Sequence, residues 1–384
     1  MKKKIRKIYQ RKFNPKRYKR KKKLPKTLNS FNKWMKLLII IFLIIILILK
    51  RKNISNINNN NIINNIIDNN VHIAISMDRR LIYSFISYLT SLLDNKKESS
   101  FYTIHILSNK IAIDESKPKI NKVIEKFGNI SIEIKYHDLS GDFHGAKVGL
   151  FPLQTYYRIA LPSLLPDLDR IIYTDVDMVN FKDLSEMYNI KFKNKMYIYA
   201  PIDDPRMIKE LEEFGIKANK YVNAGIEIFN LKAMREDDIE NKIREFIKKN
   251  HNLKSFDQTA INAVCYNNIQ ILPFKYGIFS SIDSIDKLKE LNDKQDIMYR
   301  APESELIEAF NKPALLHHAG PFKPWNKRDK IFDNRVYWWY YAKMSGFYKE
   351  FLDYYRFEKD FIDDLIKLIP ENGGLLKRNY KKLD

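Results

Sequence analysis

The segment Arg170-Ile-Ile-Tyr-Thr-Asp-Val-Asp-Met-Val179 decides the fold. Its apolar residues predict a buried strand that ends at Thr174, with Asp175 and Asp177 directly after it. In open α/β sheets, ligands bind outside the carboxyl ends of the strands. Carboxylates two residues apart in an extended chain point to one side, so both can reach a hard cation that also binds phosphate oxygens. The segment predicts a metal and phosphate site, although an acidic turn or an aspartyl phosphotransferase also explains this pair taken alone.

On both sides of this strand, short β-branched runs alternate with longer amphipathic segments. This pattern is typical of a mostly parallel sheet with helices on both faces, and it predicts one domain of about 310 residues. Tyr337, Trp338 and Trp339 are expected to pack in the core of that domain. The predicted strands are 71–76, 101–108, 130–137, 170–173, 196–202, 221–231 and 269–276, and the predicted helices are 81–93, a lysine-rich helix to 127, 156–164, 233–249, 256–266 and the carboxyl-terminal tail 334–368.

The net charge of +22 is concentrated at the amino terminus. Residues 1–52 hold 20 Lys or Arg and no Asp or Glu, which leaves 48 basic and 46 acidic residues in 53–384. A nucleic-acid-binding domain carries its own basic face, because neutralising phosphates supplies most of its affinity. The near-neutral remainder makes nucleic acid a minor alternative, and no nucleic-acid partner is predicted.

An apolar run at 34–49, interrupted only by Lys36, follows the basic tail. As a helix it would span roughly 24 Å, slightly less than a thin bilayer of about 27 Å, and the flanking lysines could snorkel to cover the difference. A cleaved signal peptide would need small residues at its cleavage site, and this segment has none there. A helix of the protein core would not be apolar on every face. The sequence predicts an uncleaved transmembrane signal anchor.

The predicted organisation is a basic cytosolic tail over 1–33, the anchor over 34–49, an Asn-rich stem over 50–70 and a catalytic domain over 71–384 with a carboxyl-terminal helical tail. The excess of basic residues before the anchor predicts a cytosolic amino terminus. We therefore expect a type II membrane protein of the Golgi or endoplasmic reticulum with a luminal catalytic domain. A bacterial host with a different topology stays open.

A second motif, His317-His-Ala-Gly-Pro-Phe-Lys-Pro-Trp325, combines imidazole, glycine and lysine in nine residues. Gly320 lets the backbone approach a phosphate closely, Lys323 supplies a positive charge for a diphosphate, and Pro324-Trp325 fixes the loop. Either histidine could complete the shell of a metal held by the two aspartates. Taken alone, the motif also fits a surface turn with a packed Trp.

Further segments occur in a fixed order around these two motifs: Ile73-Ala-Ile-Ser-Met-Asp78, Tyr156-Tyr-Arg158, Asn223-Ala-Gly225 and Asp257-Gln258. With the Asp-x-Asp and His-x-x-Gly-x-x-Lys-Pro-Trp motifs, they make residues from about 71 to 330 resemble glycosyltransferase family 8. The resemblance implies a GT-A fold, that is, a Rossmann-like α/β domain with a mostly parallel mixed sheet. It also implies an enzyme that uses nucleotide sugars with retention of configuration.

The resemblance implies a role for each matching position. Asp175, Asp177 and His317 would bind a divalent ion, Mn²⁺ with Mg²⁺ as the alternative, on the diphosphate of a UDP-sugar. Gln258 would lie beneath the reacting anomeric carbon, and Asp203 and Asp257 would orient the sugar. The other positions that would contact the donor are Asp78, Arg158, Asn223, Ala224, Gly320 and Lys323.

The expected activity is transfer of glucose or galactose from a UDP-sugar to a glycan, glycoprotein or glycolipid. UDP-xylose and UDP-uronic acids stay open as donors, as do a catalytically inactive membrane-tethered sugar-binding protein and a homodimer. A side-chain amide such as Gln258 is a poor nucleophile, which favours a front-face reaction over double displacement. The leaving diphosphate would then help to deprotonate the acceptor.

Overall fold

The structure is a computed structural model that describes residues 70–128, 131–143, 153–193, 195–321, 323–326 and 334–370. The predicted tail and anchor, and the stem up to residue 69, lie outside the described residues, so these boundaries stay predictions. No helix within the described ranges is long and apolar enough to cross a membrane.

The strands and helices of the described residues alternate along the first half of the chain, as the sequence predicts. The strands are β1 (Asn70–Ser76), β2 (Phe101–Ser108), β3 (Ile132–Asp138), β4 (Arg170–Thr174), β5 (Met178–Asn180), β6 (Ile198–Ala200), β7 (Ile226–Asn230), β8 (Ile269–Ile271), β9 (Ile278–Phe279) and β10 (Leu315–His317). The α-helices are α1 (Ile82–Asn95), α2 (Lys110–Phe127), α3 (Leu161–Leu164), α4 (Ser185–Tyr188), α5 (Ile208–Glu212), α6 (Leu231–Glu236), α7 (Ile239–Lys249), α8 (Phe256–Cys265), α9 (Ile285–Asp293), α10 (Glu303–Asn311), α11 (Val336–Met344), α12 (Tyr348–Tyr355) and α13 (Lys359–Ile366).

A mixed seven-stranded sheet forms the centre of the fold, in the order β3-β2-β1-β4-β7-β6-β8. All neighbouring strands are parallel except β7, which runs antiparallel to β4 and β6. The strand β4 is the central strand of this sheet, with β1 on one side and β7 on the other. The predicted α/β architecture with a mostly parallel mixed sheet is therefore confirmed.

Two hydrophobic clusters cover the two faces of this sheet. Phe85 and Leu89 of α1 pack with Trp338 of α11 on one face, and helices α7 and α8 contribute Ile243 and Ile261 on the other. Tyr337, Trp338 and Trp339 are buried in the first cluster, as predicted. Cys265 is also fully buried, and burial raises the pKa of its thiol. The carboxyl-terminal helices are therefore part of the domain core.

Several predicted elements differ from the structure in their bounds. The predicted helix 156–164 is a 3-10 helix over Leu153–Ala160 followed by the short α3. The predicted strand 269–276 ends at Ile271, because Pro273 lacks the N–H that a continuing strand would donate. The predicted helix 233–249 is interrupted between α6 and α7, where Asp238 adopts a φ of 53° that no α-helix accommodates.

A second, three-stranded sheet was not predicted. It has the order β5-β10-β9, with β10 antiparallel to β5 and parallel to β9. Its strands have only two or three residues each, too few to show an alternating pattern in the sequence. This sheet brings His317 opposite Met178, and so beside the residues that follow β4.

Candidate active site

A cleft of about 530 Å³ opens at the carboxyl end of β4. The cleft is where the fold argument places a ligand site. It collects segments that are far apart in the chain, from the 3-10 helix before α3 to the loop after β10. Of the predicted site residues, its lining includes Arg158, Asp175, Asp177, Asp203, Asn223, Ala224, Asp257, Gln258, His317, Gly320 and Lys323.

Asp78 is the predicted site residue that does not line this cleft. It follows β1, where its carboxylate accepts hydrogen bonds from the backbone N–H groups of Arg80 and Leu81. The same carboxylate forms a two-pronged ion pair with the Arg80 guanidinium, at 2.8 and 2.6 Å. These contacts make Asp78 the amino-terminal cap of a short 3-10 turn.

Asp175, Asp177 and His317 form the one metal-competent group of three that the described residues contain. Their ligand atoms lie within 4.8 Å of one another. His317 Nε2 is 3.4 Å from an oxygen of Asp177 and 3.9 Å from an oxygen of Asp175. Two carboxylate oxygens and one imidazole nitrogen suit a divalent ion such as Mn²⁺ or Mg²⁺. The donor set therefore fits the expected metal.

The two histidines of the second motif differ in their surroundings. His317 faces both aspartates, whereas His318 is fully buried and belongs to no such group. Burial lowers the pKa of His318 to about 3, so its ring is neutral at neutral pH. The backbone N–H of His318 donates to the carbonyl of Asp177 at 2.9 Å. This bond holds the loop after β10 against the segment that follows β4.

Gly225 permits this close grouping, a role the sequence reasoning missed. A Cβ atom at this position would lie 2.3 Å from Cε1 of His317 and 2.9 Å from Oδ2 of Asp175. Both distances are below normal van der Waals contact, so any side chain would push the ligand groups apart. The Asn223-Ala-Gly225 motif contains this glycine, but glycine is required because of contacts with residues that are distant in the sequence.

Arg158 connects Asp175 and Asp257 in the lining of the cleft. Its guanidinium is 2.8 Å from Asp175 and 3.1 Å from Asp257, and it donates to the carbonyl of Ala224. The aromatic ring of Tyr173 lies 4.0 Å from the guanidinium carbon. Burial by itself lowers the pKa of Arg158, but Tyr173 and the nearby carboxylates raise it above its ordinary value. Arg158 therefore keeps its charge while buried.

Asp203, Asn223 and Gln258 form a hydrogen-bonded group in the lining of the cleft. The amides of Asn223 and Gln258 donate to the same Asp203 oxygen, at 3.0 and 3.2 Å. The carbonyl oxygen of Gln258 accepts from the backbone N–H of Ala224 at 2.9 Å. These contacts fix the orientation of the Gln258 side chain at the start of α8.

Asp257 is buried beside this group. The hydroxyl of Thr155, a lining residue not anticipated from the sequence, donates to it at 2.6 Å. Burial raises the pKa of Asp257, and the Arg158 guanidinium opposes that shift. Asp257 is thus held by two polar groups at one wall of the cleft.

Lys323 and Gly320 also line the cleft. The Lys323 ammonium contacts the carboxylate of Asp177 and donates to the carbonyl of His318 at 2.9 Å. Burial opposes ionisation of Asp177, but Lys323 and His317 outweigh it and lower the pKa of this carboxyl. Gly320 has a φ of 82°, a conformation that favours glycine. A positive side chain and an open backbone turn therefore border the metal-competent group.

A mixed α/β sheet with this cleft, a metal-competent Asp-x-Asp and a histidine is the arrangement of a GT-A glycosyltransferase. The sequence comparison is decisive at the family level, because the model of "Glycosyl transferase family 8" matches residues 72–329. The chain belongs to this family. It is a retaining-type UDP-sugar glycosyltransferase.

The chain is also similar to curated proteins and to a solved structure. General stress protein A of Bacillus subtilis is 28% identical over 252 residues, which cover 64% of this chain and 82% of the relative. A lipopolysaccharide 1,2-glucosyltransferase of Escherichia coli is 24% identical over 247 residues, or 62% and 68% of the two chains. The galactosyltransferase LgtC, solved with donor and acceptor sugar analogues, matches with a TM-score of 0.60 at 18% identity and covers 71% of this chain and 96% of LgtC. The last match supports the fold.

The predicted location was wrong. We expected a type II membrane protein of the Golgi or endoplasmic reticulum, yet none of the described helices could span a membrane. Two of the relatives similar to this chain come from Bacillus subtilis and Haemophilus influenzae, bacteria that have neither organelle. The apolar run that suggested this location precedes the described residues. A basic tail and an apolar run do not by themselves indicate an organelle.

Proposed function

We propose that this enzyme transfers glucose or galactose from a UDP-sugar to a hydroxyl of a carbohydrate-bearing acceptor, with Mn²⁺ as the metal. The observation that carries the proposal is the convergence of Asp175, Asp177 and His317 within 4.8 Å at the edge of a cleft that also contains Gln258 and Asp257. Such a cleft can hold the diphosphate at one end and the sugar at the other.

The diphosphate end is formed by the metal ligands, Lys323 and Gly320. A divalent ion bound there would act as a Lewis acid for the leaving diphosphate. Lys323 reaches the same position from the loop after β10 and adds a positive charge where the leaving group becomes negative. Gly320 leaves the backbone open to a phosphate oxygen, since, apart from its chain neighbours, no described residue has an atom within 4 Å of where a Cβ would stand.

The sugar end is formed by Asp203, Asn223, Asp257 and Gln258. Carboxylates held by neighbouring polar groups can accept hydrogen bonds from sugar hydroxyls in a fixed geometry. Arg158 lies between Asp175 and Asp257 and so links the positions of the two ends.

In the proposed reaction, the bond between the anomeric carbon and the diphosphate oxygen breaks, and the acceptor oxygen bonds to the same face of that carbon. The acceptor proton passes to the leaving diphosphate. Gln258 is held by the Ala224 N–H and by Asp203, and its carbonyl oxygen would stabilise the positive charge that develops on the sugar ring. An amide in this setting is a poor nucleophile, which supports the front-face route.

A hexose is favoured by the names of the relatives, which include a lipopolysaccharide 1,2-glucosyltransferase and a galactosyltransferase. UDP-xylose and UDP-uronic acids are the next donors to examine. The metal-competent group argues against an inactive sugar-binding protein, because binding a sugar does not require three converging metal ligands.

The test is release of UDP from a panel of UDP-sugars with Mn²⁺, with Mg²⁺ and with chelator. We expect Mn²⁺-dependent turnover of UDP-glucose or UDP-galactose, at least by slow hydrolysis, and none with chelator. Asp177→Ala should abolish metal binding and reduce turnover by a factor of at least about 10². Exposed Asp167→Ala is the matched control and should behave as the wild type. Metal-independent turnover, or full turnover by Asp177→Ala, would contradict the proposal.

A further inference from the structure

Glu227 is a buried carboxyl group that the proposed mechanism does not use. It is the second residue of β7, opposite Tyr173 of β4 in the sheet register, and none of its surface is exposed. Neither of its oxygens has a hydrogen-bond partner in the part of the chain that the structure describes. Its nearest charged group is Arg158, whose Nη1 is 3.8 Å from a Glu227 oxygen. A buried carboxyl group whose nearest cation lies beyond hydrogen-bond distance needs an explanation, because burying such a group without hydrogen bonds is costly.

The position of Glu227 relative to the cleft supplies that explanation. Asp175 and Asp257 line the cleft and contact Arg158 from that side, whereas Glu227 does not line it. Glu227 therefore approaches the guanidinium from within the sheet, and Arg158 is placed between cleft-side and interior carboxyl groups. The position of the Arg158 guanidinium therefore depends on all three carboxyl groups, Asp175, Asp257 and Glu227.

We infer that Glu227 is a positioning residue that weakens the ion pair between Arg158 and Asp175 by attracting the same guanidinium, and so keeps Asp175 available to the metal. The reasoning rests on the proposed function, since it assumes that Asp175 is a metal ligand. Arg158 and a divalent ion compete for the same carboxylate, because Arg158 Nη2 is only 2.8 Å from Asp175 Oδ1. The attraction of Arg158 to Glu227 weakens its ion pair with Asp175, and the divalent ion can then displace it more easily.

The burial of Glu227 is consistent with this role. Burial raises the pKa of Glu227 well above its ordinary value, and Arg158 opposes the shift. A protonated carboxyl still presents a carbonyl oxygen dipole to the guanidinium, so its effect on Arg158 does not need a full negative charge. Leucine at this position would fill similar space and offer no such oxygen.

The test compares Glu227→Leu, Glu227→Gln and the wild type by titration with Mn²⁺ alone, followed by UDP-sugar kinetics. Without the attraction of Glu227, the ion pair of Arg158 with Asp175 should be stronger and harder for the metal to displace. The Mn²⁺ dissociation constant of Glu227→Leu should therefore rise about tenfold, since partners of metal ligands change metal affinity by roughly 10- to 100-fold. Glu227→Gln keeps a carbonyl oxygen and should show a clearly smaller rise.

Asp183→Asn is the matched control, because Asp183 is another buried carboxylate that binds Tyr102 and the N–H of Lys97 away from the cleft. It should lower the thermal midpoint and leave the Mn²⁺ dissociation constant unchanged. A Glu227→Leu protein that is only less stable, with wild-type Mn²⁺ affinity, would overturn the inference. Failure of the wild type to bind Mn²⁺ would instead overturn the proposed function, and Asp177→Ala identifies binding at this site.

Discussion

At the scale of single residues, the site depends on small distances between groups that are far apart in sequence. Gly225 shows this most directly, because any Cβ there would overlap His317 and approach Asp175. We predict that Gly225→Ala weakens Mn²⁺ binding by a factor of about ten or more, because the three ligands cannot keep their spacing. Calorimetric titration with Mn²⁺ measures this directly.

The control for this prediction is Gly141→Ala. Apart from its chain neighbours, no residue that the structure describes has an atom within 4 Å of a Cβ at Gly141, so this substitution adds the same methyl group without a clash against them. It should keep wild-type metal affinity. If Gly225→Ala also binds Mn²⁺ as the wild type does, the three residues do not act together as ligands in the geometry described here.

Residue chemistry could be predicted where it is local. Asp175 and Asp177 follow an apolar strand, and the sequence alone places them at a strand end. Glu227 could not be predicted, because it falls within an apolar strand and its partner Arg158 is 69 positions earlier in the chain. Asp78 was predicted to bind the donor, but its carboxylate pairs with Arg80, which lies two residues later in the sequence. Tertiary contacts decide such cases.

At the scale of elements, a chain of three histidines crosses the parallel strands β1, β2 and β3. His72 Nδ1 is 3.1 Å from His105 Nε2, and His105 Nδ1 is 3.0 Å from His137 Nε2. Burial is the main cause that lowers the pKa of His72 to about 4 and of His105 to about 3, and it also lowers the pKa of His137. Lys135 lowers all three further, and Glu133 partly opposes this at His72.

These shifts predict a loss of stability in acid. Each folded-state pKa lies below the unfolded value of about 6.5, so between pH 6.5 and about 4 the unfolded chain binds more protons than the folded one. The contribution of the histidines is complete above pH 6.5 and is lost as the pH falls. We predict that His105→Gln shows a smaller drop in thermal midpoint between pH 7 and pH 4.5 than the wild type does.

The exposed His251 provides the comparison for this experiment. His251→Gln should lose as much thermal midpoint on acidification as the wild type, because its ring is not buried in the sheet. An equal drop for His105→Gln would mean that carboxyl groups elsewhere account for the whole acid sensitivity.

Element bounds were predictable in proportion to element length. The eight-residue β2 was predicted with its observed bounds, because a long β-branched run can only be a buried strand here. The sheet β5-β10-β9 was missed, since pairing between Leu316 and both Val179 and Ile278 joins strands too short to carry a pattern. This small sheet is nevertheless the element that brings His317 to the two aspartates.

At the scale of the whole molecule, the carboxyl-terminal helices support the loop that carries Lys323. The ring of Trp325 lies 5.2 Å from Trp338 and 5.8 Å from Tyr355, in an aromatic cluster built from α11 and α12. The indole N–H of the buried Trp339 donates to the carbonyl of Pro324 at 2.8 Å. A helix that follows the cleft residues in the sequence therefore fixes the backbone next to Lys323.

This contact predicts a separation between stability and substrate affinity. Trp339→Phe removes the hydrogen bond to Pro324, worth about 1 kcal/mol, and leaves an aromatic ring in the core. Since that bond holds the loop beside Lys323, the dissociation constant for UDP in the presence of Mn²⁺ should rise about fivefold. Trp338→Phe is the matched control, because the indole N–H of Trp338 has no hydrogen-bond partner among the described residues. It loses similar volume, so it should lower the thermal midpoint as much while changing UDP affinity less. Equal effects of the two variants on UDP affinity would show that packing of the cluster, and not the bond to Pro324, sets the position of the loop.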